Sequence, residues 1–346
     1  MESDLHQRNS QCQNTYPIQR DNLLDTARAL IMIYIICWIH GMYWYNMGSP
    51  FSRSFLLFEM PIIFYISGAS FTLCRPKKTG ELFLNRFKRV MIPYYIYVVL
   101  WIMAVFVMNN SISLYPKGWF KTIIGESFRQ APFQSHIWFI LPYMVITCSF
   151  PLQRAILSKI PALLYLVAIT IIFMIIYYAD INHSTALHIL CYNIFFILGY
   201  VSYHKWKINK AVLIGGGSLL VFGALFHTGT LTCMQSLKFP PHPIFILFGL
   251  GWVSILCATF PLLKLNYSPI LKIWNKHGYT LYLYQSIPLA LYTFFPQCRK
   301  LTDSGIGSLL IVAVSLFLIN TALLPIVIYI ETKVYSVVIK LFTLIR

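Results

Sequence analysis

Long apolar runs recur along this chain and restrict it to very few kinds of fold. A run of about 20 apolar residues is long enough to cross the hydrocarbon core of a bilayer as a helix. Because hydrocarbon offers the backbone no hydrogen-bond partner, a spanning segment must be a helix or part of a closed barrel. Ten predicted spans lie near 27–46, 54–74, 90–108, 137–156, 161–179, 186–204, 211–229, 243–263, 278–296 and 306–331.

The composition favours helical spans. Of the 346 residues, 58% are hydrophobic and 11% are charged, whereas soluble domains carry about 25% charged residues. The sequence therefore predicts an all-α membrane protein, a polytopic bundle of about ten transmembrane helices. Residues 1–20 are polar and lack the pattern of a cleavable signal, so we predict a short disordered cytoplasmic tail. Residues 21–346 are predicted to form one transmembrane domain.

The distribution of Lys and Arg predicts the orientation of the bundle. The net charge is +17, but the basic residues lie between the apolar runs, which indicates topology signals and no nucleic-acid partner. With the N-terminus inside, an even number of spans also places the C-terminus inside, so both termini are predicted to be cytoplasmic. Seven of the 27 basic residues then fall in outside connections, namely Arg53, Lys117, Lys121, Arg129, Lys238, Arg299 and Lys300.

Eight cysteines are scattered along the chain. None belongs to a CxxC motif or to a Cys/His cluster with the spacing of metal ligands. The sequence thus predicts neither a metal site nor a disulfide framework. The cysteines are interpreted as small apolar packing residues.

Two ionisable residues, His40 and Glu59, lie inside the first two runs, where ionisable groups are costly. If these runs form an antiparallel hairpin, both residues lie about six positions from the outer surface, roughly 9 Å deep. A carboxylate that binds one ring nitrogen leaves the other nitrogen free to act as a base. We therefore predict a catalytic pair; the structural alternative is a histidine capped only to satisfy its burial.

A basic cluster begins the third run on the predicted cytoplasmic side, with Arg86, Lys88 and Arg89 on one helical turn. Such cations can hold the phosphates of an anionic cofactor. The positive-inside distribution of charge is an alternative explanation. Arg28 also has two interpretations, a cofactor contact or an i,i+3 ion pair with Asp25.

Three further residues are candidates for substrate binding. Ser67 is the one candidate nucleophile near the hairpin, and Gly68 beside it can permit close helix approach. His136 and Trp138 lie at the predicted outer interface. The connection 109–136 that precedes them either lies along this interface or contacts an external substrate.

Six short motifs, in chain order, resemble those of the acyltransferase 3 family of membrane proteins. They are the run from Asp25 to His40, Phe64-Tyr-Ile-Ser67-Gly68, Arg86-x-x-Arg89-x-x-x-Pro93-Tyr94, His136-Ile-Trp138-Phe139-Ile-Leu141-Pro142, Phe195-Phe-Ile-Leu-Gly199-Tyr200 and Gly278-Tyr-Thr280-Leu-Tyr282-Leu-Tyr284. Together they extend over nearly the whole chain. The proline before the second motif resembles the sugar O-acetylase branch, which includes fucose O-acetylases.

The resemblance implies a multi-pass enzyme of the bacterial inner membrane. Such enzymes move an acyl group from cytoplasmic acyl-CoA, most often acetyl-CoA, to a hydroxyl of a cell-surface or exported glycan. The implied partners are the acyl-CoA donor, a sugar or lipid-linked glycan acceptor and membrane lipid. The family's basic residue and helical histidine map onto Arg28 and His40, and its cytoplasmic arginines onto Arg86 and Arg89. The interval from Arg28 to His40 is one residue longer than the common family spacing, and Gln285 stands where the last motif often has a histidine.

Two other functions remain open from the residues alone. A transporter or flippase of polysaccharide intermediates would use a buried His/Glu pair for proton coupling. A structural subunit of an envelope assembly would have little use for buried ionisable groups. For an enzyme, the lack of an obvious acyl-enzyme nucleophile favours direct transfer from donor to acceptor.

Overall fold

The computed structural model of this chain describes residues 21–73, 79–109, 123–124, 136–179, 184–203, 205, 208–263, 265–302 and 306–344. The predicted tail, residues 1–20, and nearly all of the connection from 109 to 136 lie outside the described residues. Predictions for these two segments therefore stay predictions.

The described chain is helical and contains no β-strand. All ten apolar runs found in the sequence coincide with helices. The helices are α1 (Asn22–Trp44), α2 (Pro50–Phe55), α3 (Glu59–Thr72), α4 (Thr79–Arg86), α5 (Ile92–Asn109), α6 (Ile140–Leu157), α7 (Ala162–Tyr178), α8 (Ser184–Ser202), α9 (Ile208–His227), α10 (Pro243–Thr259), α11 (Pro269–Tyr284), α12 (Ser286–Phe294), α13 (Pro296–Thr302) and α14 (Leu309–Leu344).

Within the described part of the chain, seven helical segments are long and apolar enough to cross a membrane. They are Asn22–Trp44, Pro50–Thr72, Ile137–Leu157, Ser184–Ser202, Asn209–His227, Pro243–Leu263 and Leu309–Ser336. The apolar helix Ala162–Tyr178 is slightly shorter. The prediction of a polytopic α-helical membrane protein is therefore confirmed, while the number of ten spans and the side of each terminus stay predictions.

The outer surface of the bundle carries large apolar side chains. Leu163 on α7 is 74% exposed, and Leu213 and Leu220 on α9 are 76% and 75% exposed. A surface of this kind would be costly in water, but it matches the hydrocarbon of a bilayer. The polar side chains that concern function lie instead between the helices.

Helix α3 packs against α8 through two glycines. A Cβ atom on Gly68 would overlap the backbone carbonyl of Phe196, and one on Gly199 would overlap that of Tyr65. Small residues at a crossing point let membrane helices approach closely, so that packing replaces the missing hydrophobic force. This contact fixes α3, which carries Glu59 at one end and Ser70 at the other.

Two helical paths depart from regular α-helix. A π-helical turn, Tyr34–Ile39, interrupts α1, and the amide of His40 bonds to the carbonyl of Ile35. The path of α11 breaks at Gln285 before it continues as α12. Pro288 explains the break, because proline cannot donate to the carbonyl four residues earlier and its ring clashes with that carbonyl. Irregularities such as the π-helical turn are frequent at functional sites.

We expect Gly68→Ala to destabilise the bundle by about 1–3 kcal/mol or more, because the added methyl group overpacks the crossing of α3 and α8. Gly216→Ala on α9 is the matched control, since a Cβ there meets no heavy atom within 4 Å. The control should be neutral or slightly stabilising, because alanine favours helix by about 1 kcal/mol over glycine. Thermal unfolding of both variants in detergent measures the difference. Equal unfolding temperatures would contradict the assignment of this crossing.

Candidate active site

His40 lies on α1 directly after the π-helical turn. Its Nδ1 is 2.5 Å from Oε1 of Gln285, whose exposed fraction is 1%. Because an amide oxygen can only accept, Nδ1 carries the proton, and in the neutral imidazole Nε2 then keeps its lone pair. The residue as a whole is half-buried. A neutral histidine with a free basic nitrogen is the chemistry of a general base.

A second histidine faces the same region. The ring centroids of His40 and His136 are 6.5 Å apart, and the Tyr282 ring lies 5.6 Å and 5.4 Å from them. Nε2 of His136 is 3.3 Å from the carbonyl oxygen of Leu283, so this nitrogen donates and Nδ1 is the unprotonated one. The Tyr282 hydroxyl donates to the backbone carbonyl of His136. We call His40, His136, Tyr282 and Gln285 the histidine cluster.

The predicted hydrogen bond between His40 and Glu59 is wrong. Glu59 forms an ion pair with Lys238, and the exposed fractions of the two residues are 1% and 5%. His40 is bonded to Gln285 instead. Both charges lie close enough to act electrostatically on His40. The sequence interpretation failed because it counted Lys238 as an outside topology charge, whereas this side chain enters the bundle from the connection between α9 and α10.

Aromatic rings surround the ion pair. Nζ of Lys238 lies 5.6 Å from the centroid of Trp138 and 5.4 Å from that of Phe239, which are cation–π distances. The Trp138 ring also packs against Tyr192, with centroids 5.5 Å apart. One carboxylate oxygen of Glu59, Oε2, has no hydrogen-bond partner among the described residues. Trp138 is thus part of a packed contact, and its role toward a substrate stays a prediction.

Arg28 lies nearer the start of α1 and connects three helices. It donates to Ser70 on α3 at 2.5 Å and to Asn275 on α11 at 3.4 Å. It also forms the predicted i,i+3 ion pair with Asp25, at 3.3 Å. The structural interpretation of Arg28 is therefore confirmed, but it does not exclude a second role, because the guanidinium remains half-buried.

Two further arginines, from α4 and the π-helical turn Phe87–Met91 that follows it, approach Arg28. Arg86 and Arg89 both lie close enough to Arg28 for their charges to act on it. Arg86 donates to the Tyr143 hydroxyl at 3.0 Å, and its guanidinium lies 4.8 Å from the Phe71 centroid. Arg89 is exposed and makes no hydrogen bond or ion pair with a described residue. Converging like charges repel each other, so this arginine cluster suits an anionic ligand.

The arginine cluster and the histidine cluster lie along the same helix pair. Arg28 contacts α11 at Asn275, and His40 contacts the break after α11 at Gln285. The two α1 residues are 12 positions apart, roughly 18 Å along the helix. A π-helical turn holds more residues than an α-helical turn. The turn Tyr34–Ile39 lies between Arg28 and His40.

The structure gives little support to Ser67 as a nucleophile. Its hydroxyl donates to the carbonyl oxygen of Ile63 in the same helix, at 2.8 Å, and makes no hydrogen bond to His40. Sequence reasoning instead missed Lys238 and Gln285. The signal for Gln285 was an amide inside an otherwise apolar run, three residues before Pro288. The described residues contain no cluster of three or more His, Cys, Asp or Glu that could hold a metal ion.

The fold and the site define a class of protein: a multi-pass α-helical membrane protein with a histidine cluster between its helices and an arginine cluster farther along the same helix. The model of the acyltransferase 3 family, described as an acyltransferase domain, matches residues 21–330. The chain therefore belongs to this family of acyl-transferring membrane enzymes, as its six motifs predicted. No curated protein matches the chain, and no solved structure matches it. The sugar O-acetylase branch stays a prediction.

The ion pair between Glu59 and Lys238 predicts that replacing either residue alone destabilises the protein more than replacing both. Glu59→Leu or Lys238→Met alone leaves an uncompensated buried charge, which should cost about 3–5 kcal/mol. Replacing both residues by Glu59→Leu and Lys238→Met should recover most of that loss, because no charge then remains buried. Thermal unfolding of the purified variants tests this with a double-mutant cycle. Additive losses in the double variant would show that the two side chains do not depend on each other.

Proposed function

We propose that this protein is a membrane O-acetyltransferase that moves the acetyl group of cytoplasmic acetyl-CoA to a hydroxyl of a cell-surface or exported glycan. The acceptor is a sugar or a lipid-linked glycan. The protein lies in a bacterial inner membrane, with both termini cytoplasmic. Family membership supports acyl transfer, and the motif around Pro61 supports the sugar O-acetylase branch. The observation that carries the proposal is a half-buried His40 whose Nδ1 is engaged by Gln285 and whose Nε2 is free.

Transfer to a sugar hydroxyl requires a base, because the pKa of such a hydroxyl is far above neutrality. Nε2 of His40 takes the hydroxyl proton while the hydroxyl oxygen attacks the thioester carbonyl carbon. A C–O bond forms and the C–S bond breaks. The departing CoA thiolate then takes the proton from the imidazolium of His40. Direct transfer of this kind is balanced and requires no covalent enzyme intermediate.

The arginine cluster is proposed to bind the donor. Arg28, Arg86 and Arg89 can hold phosphates by charge-assisted hydrogen bonds, which are about twice as strong as neutral ones. The thioester of acetyl-CoA is carried on a long flexible arm, separate from the phosphates. A separation of roughly 18 Å between Arg28 and His40 therefore suits phosphates at the arginine cluster and a thioester at the histidine cluster.

The acceptor is proposed to approach from the side of His136 and Trp138. The unprotonated Nδ1 of His136 can accept a hydrogen bond from a sugar hydroxyl, and the Trp138 ring can pack on a sugar face. Ser67 retains at most a contact role, because its hydroxyl is bonded within α3. The transporter hypothesis depended on a His40–Glu59 pair that is not formed.

His40→Ala should lower kcat for glycan acetylation by about 10²–10⁴-fold, the effect of a lost general base. The measurement is CoA release and transfer of labelled acetyl from acetyl-CoA to envelope glycans, with purified protein in detergent and no gradient. His227→Ala is the matched control. His227 is an exposed histidine at the end of α9 and is not a member of the histidine cluster. Full activity of His40→Ala would overturn the proposed mechanism.

Arg89→Gln should raise the KM for acetyl-CoA about tenfold, the effect of one lost charge-assisted contact of about 1.5 kcal/mol. Lys88→Gln removes the same charge from the neighbouring position and is the matched control. Lys88 is also exposed, but it is not among the charges that act on Arg28. Equal KM values for the two variants would assign Arg89 to membrane topology alone.

A further inference from the structure

Of the two polar atoms of the Gln285 side-chain amide, one has a hydrogen-bond partner among the described residues. Its Oε1 accepts the proton of His40 Nδ1, but its Nε2 has no hydrogen-bond partner among the described residues. The residue is 1% exposed, so water does not readily reach the amide. A buried donor without a partner costs about 1–3 kcal/mol, and native proteins retain few of them. An unpaired donor beside a proposed catalytic base therefore points to a ligand atom.

The contact with His40 is made at an interruption of the helical path. Gln285 lies at the break between α11 and α12, and Pro288 imposes that break by removing one helical hydrogen bond. The position of the amide is then fixed by its short hydrogen bond to His40. Since Oε1 and Nε2 share one carbon atom, the unpaired donor also lies beside the imidazole.

Other donors in the histidine cluster are already engaged. The Tyr282 hydroxyl donates to the carbonyl of His136, and Nε2 of His136 donates to the carbonyl of Leu283. Gln285 therefore supplies the available neutral donor of the cluster. An uncharged amide can accept from His40 and donate to a ligand simultaneously, which a carboxylate cannot do.

We propose that Gln285 is a catalytic residue with two roles, an inference that rests on the proposed function. Its Oε1 holds His40 in the Nδ1–H tautomer, with Nε2 as the base. Its Nε2–H donates to the thioester carbonyl oxygen of the acyl donor. This contact strengthens as that oxygen gains negative charge in the transition state.

Acyl transfer then proceeds through attack of the acceptor hydroxyl on the thioester. His40 Nε2 removes the acceptor proton, the acceptor oxygen bonds to the carbonyl carbon, and the carbonyl π electrons move to the oxygen held by Gln285. When the carbonyl re-forms, the C–S bond breaks, and the CoA thiolate takes the proton from His40. Gln285 keeps both of its amide protons throughout.

Three variants separate the two roles. Gln285→Glu retains an oxygen for His40 but removes the N–H donors, and Gln285→Met removes both functions at similar length. Tyr284→Phe is the control, because it deletes a neighbouring buried hydroxyl that also has no hydrogen-bond partner among the described residues. For each variant, kcat and KM for acetyl-CoA are measured above pH 7 in detergent, together with the unfolding temperature.

We expect Gln285→Glu to lower kcat by about 10²–10³-fold, the typical effect of losing one oxyanion donor, with little change in KM. Gln285→Met should be slower still, because it also releases His40, and Tyr284→Phe should retain the parent kcat. The Met variant covers the case in which the added charge of Glu prevents folding, since it adds none.

Three results would overturn parts of this inference. Parent kcat in folded Gln285→Glu would remove the donor role. If kcat of Gln285→Met is no lower than kcat of Gln285→Glu, the positioning role is wrong. If only KM changes, Gln285 is a binding residue. These results are distinguishable from failure of the proposed function: if His40→Ala is inactive while the Gln285 variants are active, only the inference falls. An active His40→Ala would overturn both.

Discussion

The crossing of α3 and α8 holds the helix on which the arginine cluster and the Glu59–Lys238 ion pair both depend. Gly68 and Gly199 bring the two backbones so close that neither position can accept even a methyl group. With α3 fixed there, Ser70 meets Arg28 and Phe71 lies against Arg86. The opposite end of α3 presents Glu59 to Lys238. One backbone contact thereby sets the spacing between the arginine cluster and the Glu59–Lys238 ion pair.

Burial in a low-dielectric interior explains which polar partners Glu59 and His40 have. A charged group there needs an opposite charge, whereas a neutral donor needs only an acceptor. Glu59 forms an ion pair with Lys238, and the imidazole of His40 is hydrogen-bonded to the neutral amide of Gln285. The partner of His40 is therefore a neutral group, and a base must be uncharged before it removes a proton. Among the described residues, no carboxylate is hydrogen-bonded to His40.

The sequence predicted the parts of this structure that depend on local pattern. Apolar runs located the helices, and the depth cost of ionisable residues singled out His40 and Glu59. It could not predict their partners, because Lys238 is 179 positions from Glu59 and lies in a polar connection. Gln285 was noted only as a departure from the last motif and was given no role, since an amide does not ionise and a rule based on charge passes over it. The hydrogen bond between Gln285 and His40 joins residues 245 positions apart, which no local pattern predicts.

The separation of Glu59 from Lys238 has a consequence for biosynthesis. The first helical hairpin is synthesised and inserted long before the connection between α9 and α10 leaves the ribosome. During that interval the carboxylate of Glu59 has no lysine, so it must be protonated or stay hydrated at the edge of the bilayer. The buried ion pair can therefore form only when Lys238 arrives. The first pair of helices gains this contact only after helices α1 to α9 have been synthesised.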